Sequence, residues 1–136
     1  MGLRLGHICL GTKRLERMIC FYQELCKCSL IHEFCNAENE RYGAFLEIDG
    51  SGTHIEIFNQ IEPDPDSIGG AFRHFCFQTD DILETKKAFL KAGYDVEITR
   101  GKTDQVLQFW VKDPDGNMVE FHQYDECCTF NLKGTV

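Results

Sequence analysis

Asp113-Pro-Asp-Gly-Asn-Met-Val-Glu-Phe-His-Gln-Tyr124 (DPDGNMVEFHQY) is the stretch that decides how this chain is read. Pro114, Asp115 and Gly116 carry turn chemistry: a fixed φ, a side chain that can bond nearby amides, and free access to positive φ. After them the residues alternate. Val119 and Phe121 point to one side, and Glu120 and His122 to the other, which predicts a strand with one apolar face.

The same pattern occurs earlier. Asp49-Gly-Ser-Gly52-Thr-His-Ile-Glu56 matches Asp113-Pro-Asp-Gly116-Asn-Met-Val-Glu120 as DxxGxxxE. A second pair, His7-Ile-Cys9-Leu-Gly-Thr12 and His74-Phe-Cys76-Phe-Gln-Thr79, matches as HxCxxT. Both motifs keep their order, and their offsets differ by no more than one loop insertion. One supersecondary unit therefore occurs twice.

Periodicity fills in the rest. Strands are predicted at 3–10, 29–34, 42–48 and 53–59, and again at 71–78, 95–99, 105–111 and 117–124. Thr12 can cap a first helix, with Leu15, Met18, Ile19, Tyr22 and Cys26 at helical spacing. Asp80 or Asp81 can cap a second, which carries Ile82, Phe89 and Leu90 and stops at Gly93. Residues 60–70 are acidic, hold two of the three prolines and end in Gly-Gly, so they read as a linker. The expected fold is α+β: one domain over 1–136, made of two βαβββ modules (3–59 and 71–124), with a tail at 125–136.

Each module offers one histidine in its first strand and one glutamate in its last: His7 and Glu56, then His74 and Glu120. Their strand neighbours are apolar: Ile8 and Leu10, Ile55 and Ile57, Phe75 and Phe77, Val119 and Phe121. The apolar face can pack on a helix, which leaves the four polar groups on the uncovered face. Taken singly, such a residue on a strand is ordinarily just solvated; the repeated placement argues for a site. Two imidazoles and two carboxylates suit Zn²⁺, Ni²⁺, Co²⁺, Mn²⁺ or Fe²⁺ and are too rich in nitrogen for Ca²⁺. Four donors on an octahedral ion leave two positions for water or for a substrate with neighbouring oxygens. His54 and His122 share the face of Glu56 and Glu120 and are expected to be supporting groups or alternative ligands. No cysteine is among the four, which argues against a closed thiolate site.

A net charge of −8 argues against nucleic acid or an anionic membrane as partner. No apolar run is long enough for a membrane helix, and the first residues lack the core of a signal peptide. Gly6 stands where a myristoylation motif needs Ser or Thr. Eight cysteines occur without a CxxC pair. Cys9, Cys20 and Cys76 fall within apolar patterns and read as small hydrophobes. Reduced thiols and a cytoplasmic location are expected.

Over residues 3–124 the duplicated βαβββ order, with one His and one Glu per half, resembles the vicinal oxygen chelate superfamily, the glyoxalase/bleomycin-resistance fold. The DPDGNMVEF stretch around Glu120 is the most specific part of that resemblance. Within the family, the set His, Glu, His, Glu is most similar to glyoxalase I (lactoylglutathione lyase). The ring-cleaving dioxygenases and fosfomycin-modifying enzymes use two histidines and one glutamate. Epimerase relatives place glutamine at the Glu56 position, and bleomycin-binding members lack the metal.

The resemblance implies a cup-shaped mixed sheet with helices outside, often completed as a homodimer. It implies a divalent metal on His7, Glu56, His74 and Glu120, with Zn or Ni foremost and Co, Mn or Fe as alternatives. The activity it implies is isomerisation of a hemithioacetal, or a similar small vicinal-oxygen substrate, through a metal-stabilised enediolate. Glu120 would be the base and Glu56 its counterpart. Another enzyme of the superfamily (an epimerase or a ring-cleaving dioxygenase) and a non-enzymatic binder of small molecules or antibiotics stand as alternatives. Two positions depart from the glyoxalase I pattern: Gly11 stands where an arginine for the glutathione carboxylate is common, and Gln60 where an asparagine is. Arg100 and Lys102 could offer positive charge to a substrate carboxylate instead.

Overall fold

The turn before the last strand folds as its side chains dictate. The structure, a computed structural model, describes residues 2–59 and 72–129. Asp113 Oδ1 accepts the amides of Asp115 (3.0 Å) and Asn117 (2.9 Å), while Oδ2 accepts Asn117 Nδ2 (2.8 Å). Gly116 adopts φ +86° and donates its amide to the Asp113 carbonyl at 2.9 Å. A side chain at that φ would be strained.

The chain divides into two compact units, residues 1–71 and 72–136. The first contains β1 (His7–Thr12), α1 (Leu15–Cys20), β2 (Ser29–Cys35), β3 (Arg41–Glu47) and β4 (His54–Asn59). The second contains β5 (His74–Gln78), α2 (Ile82–Lys91), β6 (Thr99–Arg100), β7 (Leu107–Lys112) and β8 (Met118–Gln123). Each unit makes a four-stranded mixed sheet, ordered β1-β4-β3-β2 and β5-β8-β7-β6. First and last strands pair in parallel and the other pairs are antiparallel. A parallel pair needs a crossover, which begins with the helix in each unit. The α+β class and the duplicated order agree with the sequence reading.

One face of each sheet is closed by its helix. α1 packs on β3 and β4, where Leu15, Met18 and Ile19 are buried with Ala44, Leu46, Ile55 and Ile57. α2 packs on β7 and β8. There Phe89 meets Phe121 and Phe109 with ring centroids 5.1 and 5.7 Å away, and Phe121 stacks on Phe109 at 4.7 Å. Burying each such ring contributes about 1.5–3 kcal/mol. Asp81, not Asp80, caps α2: its Oδ1 accepts the Glu84 amide at 3.0 Å. Gly93 ends that helix at φ +93°, with the Tyr94 amide donating back to Phe89 O.

Several expectations change. β1 starts at His7 and not at residue 3, because its partner β4 starts opposite at His54; Leu3 and Leu5 are exposed. Thr12 does not cap the helix itself; its hydroxyl accepts the Arg14 amide (2.8 Å) one residue ahead of α1. The helix runs on as a π-turn, Phe21–Leu25, closed by the Cys26 amide donating to Phe21 O. Residues 95–98 form no strand, although Val96 is buried as the alternation predicts. A strand needs a partner, and β7 pairs only with Thr99 and Arg100 on that side. Cys20 is exposed on the side of α1 away from its apolar stripe. Of the expected linker, residues 60–70, and the tail, only residues 125–129 lie within the described residues. Among the described residues no helix is long and apolar enough to cross a membrane.

Candidate metal centre

The parallel strand pairs fix which side chains share the open face. In the first unit, β1 and β4 align His7 with His54 and Cys9 with Glu56. In the second, β5 and β8 align Cys76 with Glu120 and Gln78 with His122. Opposite parity sends Ile55, Ile57, Val119 and Phe121 into the cores. Helix burial of one face thus pins the polar residues to the other.

Each unit brings its predicted His and Glu together. His7 Nε2 lies 3.9 Å from Glu56 Oε1, and His74 Nε2 lies 3.7 Å from Glu120 Oε2. Both separations exceed hydrogen-bond length. Two donors each about 2.1 Å from one ion are at most about 4.2 Å apart, so both pairs fit as co-ligands of a divalent ion. Nitrogen and carboxylate oxygen are also the donor types such an ion takes. Aromatic rings hold the imidazoles: His7 meets Phe45 edge-on at 6.0 Å, and His74 meets Trp110 edge-on at 4.6 Å.

The two halves differ in depth. The Glu120 side chain is only 7% exposed, whereas that of Glu56 is 23% exposed. His122 Nε2 contacts Glu120 Oε1, so the Glu120 carboxylate has an imidazole on each oxygen. His122 Nδ1 also reaches Tyr124 Oη at 3.5 Å. In the first unit the supporting histidine behaves otherwise. His54 stacks on Phe45 at 4.4 Å and approaches Glu47, not Glu56, at 3.8 Å.

Sequence reasoning missed two residues on this face. Cys9 and Cys76, read as small hydrophobes, are exposed on the same side as the histidines and glutamates. Parity held the signal, since positions 7 and 9, like 74 and 76, must point the same way. The Cys76 thiol donates to Phe77 O at 3.4 Å. Partial desolvation, and then the charge of Glu120 and a bond to it, pushes the thiol up to about 12. Partial burial and Glu56 raise Cys9 in the same direction. Cys76, Glu120 and His122 offer ligand atoms that all lie within 4.8 Å of one another.

Arg100 is engaged: its guanidinium donates to both Asp125 oxygens, at 3.1 and 2.7 Å, and to Gln105 O. Arg100 holds the Asp125 carboxyl below the usual carboxylate range. Lys102 is exposed on the following turn. Gly11 stands exposed in β1, and Gln60 lies outside the described residues.

A duplicated βαβββ unit whose open sheet faces each pair a histidine with a glutamate defines a class of α+β protein with metal donors on display. The Glyoxalase/Bleomycin resistance protein/Dioxygenase superfamily matches residues 4–121, and the chain belongs to that superfamily. It is 32% identical over 126 residues to a probable lactoylglutathione lyase of Vibrio parahaemolyticus, covering 88% of this chain and 90% of the relative. To the lactoylglutathione lyase of Haemophilus influenzae it is 31% identical, covering 88% and 91%. Among solved structures, TioX from Micromonospora shares the fold with a TM-score of 0.70 at 17% identity, covering 90% of this chain and 99% of that one.

Proposed function

We propose that this chain is a metal-dependent enzyme of the glyoxalase I type. It would isomerise a hemithioacetal or a similar small substrate with two neighbouring oxygens. The observation that carries the proposal is the recurrence of one His–Glu pair in each unit, at 3.9 and 3.7 Å. The names of the two lyase relatives support it.

His7, Glu56, His74 and Glu120 hold the ion in this reading, with Zn²⁺ or Ni²⁺ foremost and Co²⁺, Mn²⁺ or Fe²⁺ as alternatives. When bound, a divalent ion supplies Lewis-acid stabilisation of the negative charge that builds on substrate oxygens. Glu120 takes a proton from one carbon and returns it to the next. Its burial keeps bulk water from exchanging that proton away. Glu56, nearer solvent, is its counterpart. His122 holds the Glu120 carboxylate from the side opposite His74. Lys102 can meet a substrate carboxylate directly, whereas Arg100 must first part from Asp125. The enzyme acts in the cytoplasm as a homodimer.

Three assays test the reading. Isomerisation of glutathione hemithioacetal is the expected activity. Oxygen consumption with catechols by an iron-loaded sample would replace it with ring cleavage. Tight binding of a small molecule by protein free of metal would replace it with a binding role.

A further inference from the structure

We infer that the second unit carries its own thiophilic cation site, made of Cys76 Sγ, a Glu120 carboxylate oxygen and a His122 ring nitrogen. The inference deepens the proposed function and rests on it in one respect: both sites draw on Glu120.

The register places the three donors together. Cys76 and Glu120 are direct partners across the parallel β5–β8 pair, and His122 follows Glu120 by two residues on the same face. Their ligand atoms lie within 4.8 Å of one another, and Glu120 is buried beneath the other two. Donors at Zn–S and Zn–N bond lengths lie at most about 4.4 Å apart, so the trio closes on an ion by a few tenths of an ångström at its widest, while the His122 Nε2–Glu120 Oε1 contact opens to admit it. The first unit shows why this is not a general feature of the repeat. Cys9 faces Glu56 in the same register, but Phe58 occupies the place equivalent to His122. Among the described residues, only the second copy completes a trio of this kind.

A sulfur donor changes which ions are held. Thiolate with imidazole favours Zn²⁺, Cd²⁺ and Co²⁺ over Mn²⁺ or Mg²⁺. Binding replaces the S–H bond of Cys76 with a sulfur–metal bond, and the proton leaves to solvent. Because Glu120 is a shared donor, an ion on this trio withdraws the proposed base. Excess thiophilic ion is therefore inhibitory, and the inhibition depends on Cys76.

The test uses Co²⁺ as probe on the whole chain, kept reduced with a phosphine. Absorbance is followed for the wild type, Cys76→Ser, Cys76→Ala, Cys9→Ser and His122→Gln. A near-ultraviolet thiolate-to-cobalt band is expected in the wild type and in Cys9→Ser, and is lost in both Cys76 variants. His122→Gln weakens Co²⁺ binding at least about ten-fold, the loss seen even for groups one step removed from a metal. Circular dichroism shows that each variant is folded, and two Cys76 variants guard against a folding defect in one. Co²⁺ bound without the band, or with a band that survives loss of Cys76, overturns this site and leaves the four-donor reading standing. No Co²⁺ bound at all overturns both.

Discussion

Glu120 concentrates the chemistry of the second unit: it is buried, touched by two imidazoles, and faced across the sheet by a thiol. If it is the base, Glu120→Gln keeps the shape and one oxygen donor but cannot take a proton. Turnover should then fall about 10²–10⁴-fold while most of the metal is retained. Metal analysis beside steady-state kinetics checks this, and full activity in the variant would remove the role. The thiols give a separate expectation. Cys28, buried near Asp49, and Cys76, shielded beside Glu120, are both pushed up to about 12 from 9.0. As pH rises past about 9 the unfolded chain loses these protons first. Stability from the two thiols is thus complete below pH 9 and lost as pH climbs towards 12. Melting temperature should drop as pH rises from about 9 towards 12, with a flatter slope in a Cys28→Ala, Cys76→Ser double variant. Equal slopes would contradict it.

At the scale of elements, the Asp113 turn aims β8 and so places Glu120. Asp113 is buried and accepts three hydrogen bonds within the turn. Asp113→Ala should cost about 1–3 kcal/mol by chemical denaturation, since the turn's amides lose their acceptor. Metal retention should weaken along with it. The Asp81 cap is a milder case: Asp81→Ala should cost ~1 kcal/mol. The turn, the cap as one of two candidates and the stop at Gly93 were legible because they depend on local side-chain chemistry, but the side chain that bonds the turn is Asp113 and not Asp115 as expected. Strand parity put His7, Glu56, His74 and Glu120 on the open faces; the pairing of each histidine with its glutamate comes from the β1–β4 and β5–β8 ladders. What depends on a distant partner was not legible. Residues 95–98 alternate as a strand should, yet find no ladder, and β1 begins only where β4 can meet it. Cys9 and Cys76 were misassigned because their hydrophobic character outweighed their parity with the neighbouring histidines. His122, ranked as a supporting group, turns out to contact Glu120 directly.

For the whole molecule, two copies of one unit, each with a His–Glu pair on its open face, belong to a superfamily whose similar members include one lactoylglutathione lyase and one named as probable. We propose that this chain is a metal-dependent isomerase built on those pairs. The most direct test of that proposal is metal analysis of protein purified without chelator, joined to hemithioacetal isomerase activity after separate reloading with Ni²⁺ and Zn²⁺. At least about half an ion per chain is expected, with activity that is lost on chelation and restored by one of the two ions. Less metal than that, with no activity after reloading, would contradict it.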